Sequence, residues 1–273
     1  MIRRARPWLG TIVEIACDNP SALEAGFAAI AHVHKRMSFH EAGSDLAVLR
    51  IAKPGDAVHV DAETVRVVRL ALDLHGASGG LFDVTVGRQL VAAKFLPRTT
   101  AHRLAYYSGT SADIEIVDDT HVMCHRPMLI DLGGIAKGHA VDLAVAAVQA
   151  AGATQGIVNA GGDLRVFGSR AETIWLRRAD GQLGSSLEAS NVAVASSSNL
   201  LFRRSLRGES HSPHIGYGRK AMLTGDAVTV TAPTCAFADA MTKVAMADSA
   251  LAIRLLALVG GAVRITPHLS EAA

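Results

Sequence analysis

The chain has 273 residues, of which 49% are hydrophobic and 19% charged, with a formal net charge of +2. This length allows a large buried core, either as one domain over residues 1–273 or as two interlocked α+β subdomains. The small net charge alone neither favours nor excludes nucleic acid, but the sequence lacks a basic stripe with interleaved aromatic residues, so no nucleic-acid partner is expected.

The sequence also predicts a location. Arg3, Arg4 and Arg6 form a short basic start, but Asp18 and Asn19 follow too soon to leave room for the apolar core of a signal peptide. The longest apolar stretch, 251–263, is interrupted by Arg254 and by Gly260-Gly261, so no membrane insertion is expected. The three cysteines are far apart and lack metal-ligand spacing, which is typical of buried free thiols. We therefore expect a cytoplasmic protein.

Apolar periodicity predicts an alternation of helices and mostly antiparallel strands, which favours an α+β fold over a doubly wound α/β fold. The predicted elements are, in chain order, a strand at 11–17, helices at 21–37 and 62–78, a β-rich stretch at 108–130, a helix at 135–151, strands within 156–167, strands at 174–177 and 192–196, a polar loop at 203–220, a strand at 227–232, helices at 235–246 and 249–259, and a strand at 262–265.

Three local signals refine these elements. Ser21 is predicted to cap the first helix, with Glu24 completing a capping box. Asp131 is predicted to end a strand, and Thr234 is predicted to cap the helix that starts at Cys235.

A glycine-rich segment flanks the helix at 135–151 on both sides. Asp131 precedes Gly133-Gly134, and Gly161-Gly162 precedes Asp163. Glycine lets backbone amides approach a ligand, and helix N-termini favour anions, so the segment predicts a phosphate-binding site. The alternative is an ordinary turn with Asp131 as a local cap. Lys137 lies in the first helical turn, where its positive charge is unfavourable against the helix dipole. An anion or Asp131 nearby would offset this unfavourable interaction.

Two further positions could carry chemistry. Asp239 lies in a helix of small apolar residues with Lys243 four positions later, so the pair is either a surface ion pair or a carboxylate that holds a cation or a ligand. His214 lies in the polar loop and is either a solvated side chain or a group that transfers protons near neutral pH.

Six segments of the chain form a recognisable series. They are Leu9-Gly10-Thr11, Met37-Ser38 with Ser44-Asp45-Leu46, Phe82 to Gly87, Asp131 to Asp163, Val228 to Pro233, and Ala238 to Lys243. Taken in this order, they resemble the FAD:protein FMN transferases, the ApbE-type flavin transferases. The resemblance spans roughly residues 6–250 and implies an ApbE-like, T-fold-like α+β architecture.

The resemblance implies an activity. Such enzymes cleave FAD, pass FMN to a Ser or Thr hydroxyl of an acceptor protein and release AMP, with Mg²⁺ as the usual divalent cation. It also implies site residues. The metal would be held by Asp239 and by the carbonyl groups of Gly134 and Ala236, and His214 would take the proton from the acceptor hydroxyl. The positions implied to bind FAD are Leu9, His40, Phe82, Asp83, Asp131, Lys137 and Ile215.

The chain departs from this family at two places. Many members have Thr four residues after the metal-binding Asp, where this chain has Lys243. We therefore hypothesise that the Lys243 ammonium partly replaces the cation and weakens Mg²⁺ binding. After His214-Ile215 the family usually continues with Asp-Pro, whereas this chain has Gly216-Tyr217-Gly218. Two alternatives to flavin transfer therefore stay open, a catalytically impaired FAD-binding protein and an FAD pyrophosphatase that releases FMN and AMP.

Overall fold

The computed structural model describes residues 1–267, which form helices packed on a large sheet and on three smaller ones. The helices are α1 (Leu23–Met37), α2 (Asp45–Ile51), α3 (Ala62–Ala77), α4 (Gly87–Ala92), α5 (Ala136–Ala150), α6 (Cys235–Ala247) and α7 (Ser249–Ala257). The strands are β1 (Ile2–Trp8), β2 (Thr11–Cys17), β3 (Ala57–His59), β4 (Ile114–Ile116), β5 (His121–Cys124), β6 (Gly156–Ala160), β7 (Asp163–Phe167), β8 (Glu172–Arg177), β9 (Leu183–Ala189), β10 (Val192–Ser198), β11 (Arg204–Leu206), β12 (Glu209–His211), β13 (Ala227–Ala232) and β14 (Ala262–Thr266).

The large sheet has seven strands in the order β1-β2-β6-β7-β10-β13-β14, and each neighbouring pair is antiparallel. Strands β1 and β2 are joined by the two-residue turn Leu9-Gly10, and β6 and β7 by Gly161-Gly162. Both residues of each turn have positive φ, as tight hairpins of this length require. A Cβ on Gly161 would lie 2.5 Å from Thr11 Oγ1, so the two turns meet at one end of the sheet.

Helices α1, α5 and α6 cover one face of this sheet. Side chains such as Val13, Ile15 and Val158 point from the strands into this layer, where they join Phe27 and Met241 from the helices. The β8–β9 hairpin packs on the opposite face, over a smaller apolar cluster. The sheet is therefore buried on both faces in its central strands.

A three-stranded antiparallel sheet, β3-β5-β4, lies beside α3. Val58 and Val122 from this sheet, and Val65 and Leu74 from α3, belong to the same apolar cluster as the large sheet. The residues of both sheets thus share one core, and the architecture is the predicted α+β type. Whether it divides into subdomains stays a prediction.

The elements with strong periodicity are confirmed. Strand β2, helices α3 and α5, the β6–β7 hairpin and strand β13 all lie within two residues of their predicted bounds. No helix within residues 1–267 is long and apolar enough to cross a membrane.

The predicted capping box of the first helix is wrong. A short 3₁₀ turn at Pro20–Ala22 precedes α1, and the Asn19 side chain accepts the amide proton of Ser21 at 3.2 Å. Glu24 instead forms an ion pair with Arg6 on strand β1 at 2.5 Å. The Glu24 carboxylate therefore contacts an arginine of a strand that lies far from the helix in sequence, and it does not complete a capping box.

Other corrections concern short elements. The segment 203–220 is not all loop, because it contains the β11–β12 hairpin, in which Ser205 pairs with Ser210. Asp131 ends an extended segment that belongs to no strand. The sequence patterns did not predict five elements that are short or lie at an exposed edge, namely β1, α2, β3, α4 and β9.

The start of α6 is capped from another helix. Thr234 has the extended backbone of a cap residue but its side chain makes no capping hydrogen bond. The Asp142 carboxylate of α5 accepts the amide protons of Cys235 and Ala236, each at 2.9 Å. In return, Asp239 of α6 accepts from the Gly138 amide in the first turn of α5 at 3.4 Å. Each helix therefore supplies a carboxylate that accepts amide protons at the N-terminus of the other helix, where a negative charge is favourable.

Candidate active site

One large cavity, of about 800 Å³, opens at the end of the sheet where the two glycine turns meet. Its wall combines apolar side chains from α1 and the segments near α4 with polar groups from the start of α5, the end of β10 and α6. Nine of the positions predicted to form the site line it, namely Leu9, His40, Phe82, Asp83, Asp131, Gly134, Lys137, His214 and Ile215. The topology therefore gathers most of the predicted site.

Two predicted residues do not line the cavity. Ala236 lies in the first turn of α6, and its amide donates to Asp142. Asp239 has no exposed side-chain surface and lies behind Lys243, which does line the cavity. Of the three predicted metal ligands, only Gly134 lines the cavity, and the other two are set back from it.

Asp131 lies at the bend between the extended segment and the glycine turn. Its Oδ1 accepts the amide proton of Gly133 at 3.3 Å. Burial raises the pKa of Asp131, while the Gly133 amide and the charges of His40 and Lys243 act in the opposite direction. The carboxyl group is thus available to the cavity and does not pair with Lys137.

Lys137 finds its counter-charge on the neighbouring hairpin instead. Its Nζ donates to Asp163 Oδ2, and Asp163 is buried at the start of β7. Although burial favours the neutral amine, the carboxylates of Asp163 and Asp239 hold the pKa of Lys137 above its ordinary value. This ion pair explains how a lysine is tolerated in the first turn of α5.

A second lysine forms a parallel arrangement on α6. Lys243 Nζ donates to Asp239 Oδ1, to the Asp239 carbonyl oxygen at 3.1 Å and to Ser197 Oγ at 3.4 Å. Ser197 also contacts Thr242 Oγ1 at 2.8 Å. Burial opposes ionisation of Asp239, but the charges of Lys243 and Lys137 hold its pKa below the ordinary value. This is a buried ion pair at the cavity wall, so the surface-pair interpretation is wrong.

His214 enters the cavity from the segment between β12 and β13. Its backbone carbonyl accepts the Met222 amide at 2.8 Å, and Ile215 forms a bridge with Ala221. The Nδ1 atom is buried and has no hydrogen-bond partner within residues 1–267. Burial, aided by the Lys243 charge, lowers the pKa of His214 to about 3. A neutral imidazole with an unpaired nitrogen can accept a proton.

Comparison with known proteins identifies the family of the chain. A sequence model of the ApbE family matches residues 9–260. The chain belongs to the ApbE family. The matched range includes every residue of the cavity described above.

Curated family relatives carry a functional name. An FAD:protein FMN transferase of Rhodobacter capsulatus is 29% identical over 181 residues, which are 61% of this chain and 35% of that protein. An FAD:protein FMN transferase of Vibrio cholerae serotype O1 is 27% identical over 144 residues, which are 50% of this chain and 43% of that protein. The matched part thus spans less than half of each relative.

Solved ApbE-family structures share the fold. The ApbE protein of Thermotoga maritima has a TM-score of 0.84 at 23% identity, covering 98% of this chain and 97% of that one. The apo flavinyl transferase ApbE of Pseudomonas stutzeri has a TM-score of 0.83 at 18% identity, covering 99% and 92%. The flavin transferase ApbE of Vibrio cholerae has a TM-score of 0.80 at 21% identity, covering 97% and 92%.

The donor set of this ApbE-family chain does not fit a magnesium ion. Mg²⁺ takes hard oxygen ligands in octahedral geometry. The only carboxylate of the predicted set is Asp239, whose Oδ1 contacts Lys243 and whose Oδ2 faces the Gly138 amide. Across residues 1–267, no group of three or more His, Cys, Asp and Glu side chains is arranged to hold a metal.

The second departure from the family, after His214-Ile215, has its own anchor. Arg219 donates to Asp83 Oδ2 at 2.9 Å, to Thr85 Oγ1 and to the Gly109 carbonyl oxygen at 3.4 Å. Burial favours the neutral acid, but hydrogen bonds from Thr85 and the charge of Arg219 hold the pKa of Asp83 below its ordinary value. The Asp83 carboxylate therefore fastens the His214 segment.

We expect Arg219→Met to loosen this segment without removing a group that reacts. The buried Asp83 would lose its counter-charge, and we expect a loss of about 3 kcal/mol in the free energy of unfolding, the scale for breaking such a pair. Hydrogen exchange of residues 212–222 should become faster. Lys220→Met is the matched control, because Lys220 is the next residue along the chain and forms no ion pair within residues 1–267. Unchanged exchange in Arg219→Met would contradict the anchoring role.

Several site residues escaped the sequence analysis. Ser196, Ser197 and Ser198 line the cavity from the end of β10, and a run of serines on a strand carries no specific chemical signal. Asp163 was recognised only as part of a glycine turn, and its pairing with Lys137 needs the α5–β7 contact. Arg219 acts 136 positions away from Asp83, for which a single sequence offers no signal.

Proposed function

We propose that the chain is an FAD:protein FMN transferase. It would cleave FAD, attach FMN through a phosphoester bond to a Ser or Thr hydroxyl of an acceptor protein, and release AMP. One observation carries the proposal: a single cavity of an ApbE-family chain brings an unpaired histidine, His214, together with two lysines, Lys137 and Lys243. A proton acceptor and cations beside a large cavity are what phosphoryl transfer requires.

The proposed FAD site uses the predicted cavity residues. A volume of about 800 Å³ lies within the range of ligand pockets in proteins. Leu9, Phe82 and Ile215 offer apolar surface for the planar rings of FAD. His40 and Asp131 offer polar groups for ring and sugar atoms, and Lys137 carries positive charge toward the phosphates.

The proposed reaction is a displacement at the FMN-side phosphorus. The acceptor oxygen forms a bond to that phosphorus as its proton passes to His214. The bond from the same phosphorus to the bridging oxygen breaks, and AMP leaves with the electron pair. His214 returns its proton to solvent after AMP departs. Since its lowered pKa keeps the imidazole of His214 neutral, the group needs no prior deprotonation.

The acceptor would be a protein with a Ser or Thr flavinylation site. Nucleic acid and a membrane-inserted segment have no part in the proposal. A cytoplasmic location of the chain stays a prediction.

A single assay tests the function against its alternatives. The full chain is incubated with FAD, Mg²⁺ and an acceptor protein, followed by a denaturing gel viewed by flavin fluorescence and by chromatography of the nucleotides. We expect a fluorescent acceptor band and equimolar AMP. FMN in place of FAD is the control, because FMN has no AMP leaving group.

The other outcomes contradict the proposal in different ways. AMP with free FMN and no labelled acceptor would identify an FAD pyrophosphatase. FAD bound without either product would identify a binding protein that has lost transfer.

A further inference from the structure

The Lys243 side chain lies where an ion would be expected to sit. Its Nζ donates to three oxygen atoms, from the Asp239 carboxylate, the Asp239 carbonyl group and the Ser197 hydroxyl. An ammonium group has three donors and no acceptor, so this all-oxygen environment satisfies it completely. The side chain is 15% exposed, whereas that of Asp239 has no exposure, so Lys243 separates the carboxylate from the cavity.

The same side chain packs against a second residue of the predicted metal site. A Cβ built on Gly134 would lie 3.3 Å from Lys243 Cε, so the lysine stem packs directly on this glycine. Gly134 and Asp239 are both predicted to contribute to one cation site. The stem of Lys243 lies against the first of these residues, and its ammonium group contacts the carboxylate of the second.

Each of the two lysines already has a carboxylate partner without a metal. Lys137 pairs with Asp163, and Lys243 pairs with Asp239. A divalent ion added at Asp239 would lie beside an ammonium group in a buried environment, where like charges repel strongly. Binding of the ion would therefore require Lys243 to leave its three oxygen partners.

We propose that the Lys243 ammonium is a built-in cation that replaces a divalent metal in this chain. It would contact the pyrophosphate of FAD, so that nucleotide binding needs no metal ion. The choice of FAD as the nucleotide rests on the proposed function. The contact with Ser197, at 3.4 Å the longest of the three, is the one that a phosphate oxygen would replace.

The test measures FAD binding rather than activity. FAD is titrated into the full chain in EDTA and in Mg²⁺, and the flavin fluorescence reports the Kd. We expect wild type to give the same Kd within about twofold in both buffers. Lys243→Thr should bind FAD about tenfold to a hundredfold more weakly in EDTA, the scale of a lost charged hydrogen bond, and Mg²⁺ should restore the affinity.

Lys243→Arg is the matched variant, because it keeps the positive charge and should stay independent of Mg²⁺. A wild-type Kd that rises about tenfold or more in EDTA would overturn the proposal. So would calorimetric titrations in which Mg²⁺ binds the FAD complexes of wild type and Lys243→Thr equally well. If Lys243→Thr does not fold, the wild-type titrations in the two buffers decide by themselves.

Failure of the proposed function gives a different result. If wild type binds FAD in neither buffer, the FAD assignment is wrong. Calorimetry of Mg²⁺ with the FAD-free proteins then decides the role of Lys243, with binding to wild type as the contradicting result.

Discussion

His214→Ala should lower the rate of FMN transfer about 10²–10⁴-fold, the usual contribution of a group that transfers a proton. The Kd for FAD should change little, because the imidazole Nδ1 has no hydrogen-bond partner in the described part of the chain, residues 1–267. Flavin fluorescence of the acceptor band gives the rate, and direct titration gives the Kd.

His211→Ala is the matched control, since His211 lies on β12 in the same segment and does not line the cavity. Transfer by His214→Ala at the wild-type rate would refute the role of the histidine as proton acceptor. Loss of transfer in both variants would point to a general disturbance of the segment.

The pH dependence follows from the pKa of His214. Burial and the Lys243 charge lower this pKa to about 3, so the base form of the free protein persists well below neutral pH. Because kcat/KM reports the groups of the free enzyme, we expect no acidic limb near pH 6.5, the ordinary histidine value. Activity that depends on this base should fall only as the pH approaches the lowered pKa. A limb near pH 6.5 that vanishes in His214→Gln would contradict the buried environment.

Gly138→Ala should have the largest effect on stability, about 3 kcal/mol or more in the free energy of unfolding. A Cβ at this position would lie 2.5 Å from the carbonyl carbon of Cys235 and 2.7 Å from the Ala236 nitrogen. These are backbone atoms, which cannot rotate away, so α5 and α6 would have to separate. Urea denaturation followed by circular dichroism measures the change.

Gly76→Ala is the control for helix propensity. Gly76 also lies within a helix, α3, but a Cβ there meets no atom within 4 Å. Since alanine favours helices over glycine by about 1 kcal/mol, Gly76→Ala should be neutral or slightly stabilising. Equal effects at both positions would show that the α5–α6 contact does not limit the residue at 138.

Much of the fold could be predicted because its signals are local. The alternation in 11–17 and 227–232 and the periodicity in 62–78 are properties of neighbouring residues. The Gly161-Gly162 turn was predictable for the same reason, as both positions need positive φ. In contrast, β1 is mostly exposed and carries three arginines, and β9 has few apolar residues. These strands form because partner strands satisfy their backbone groups.

The candidate site was predictable in composition but not in its pairings. The order of motifs along the chain identified nine of the residues that line the cavity. Lys137 was expected near Asp131 or an anion, yet it pairs with Asp163 on the adjacent hairpin. The helix spacing of Asp239 and Lys243 predicted their contact but not its burial. Burial makes the ion pair necessary, because a buried carboxylate needs a partner that a surface carboxylate does not.

The sequence by itself determined the main helices, the strands with regular alternation, the glycine turns and the candidate chemical groups, since each depends on a few adjacent positions. Only the tertiary structure decided which charges meet, that Asp142 caps α6, and that Arg219 fastens the His214 segment to Asp83. The physical reason is that these contacts join segments far apart in the chain, where packing of the helices on the sheet sets the distances and the burial that govern each ion pair.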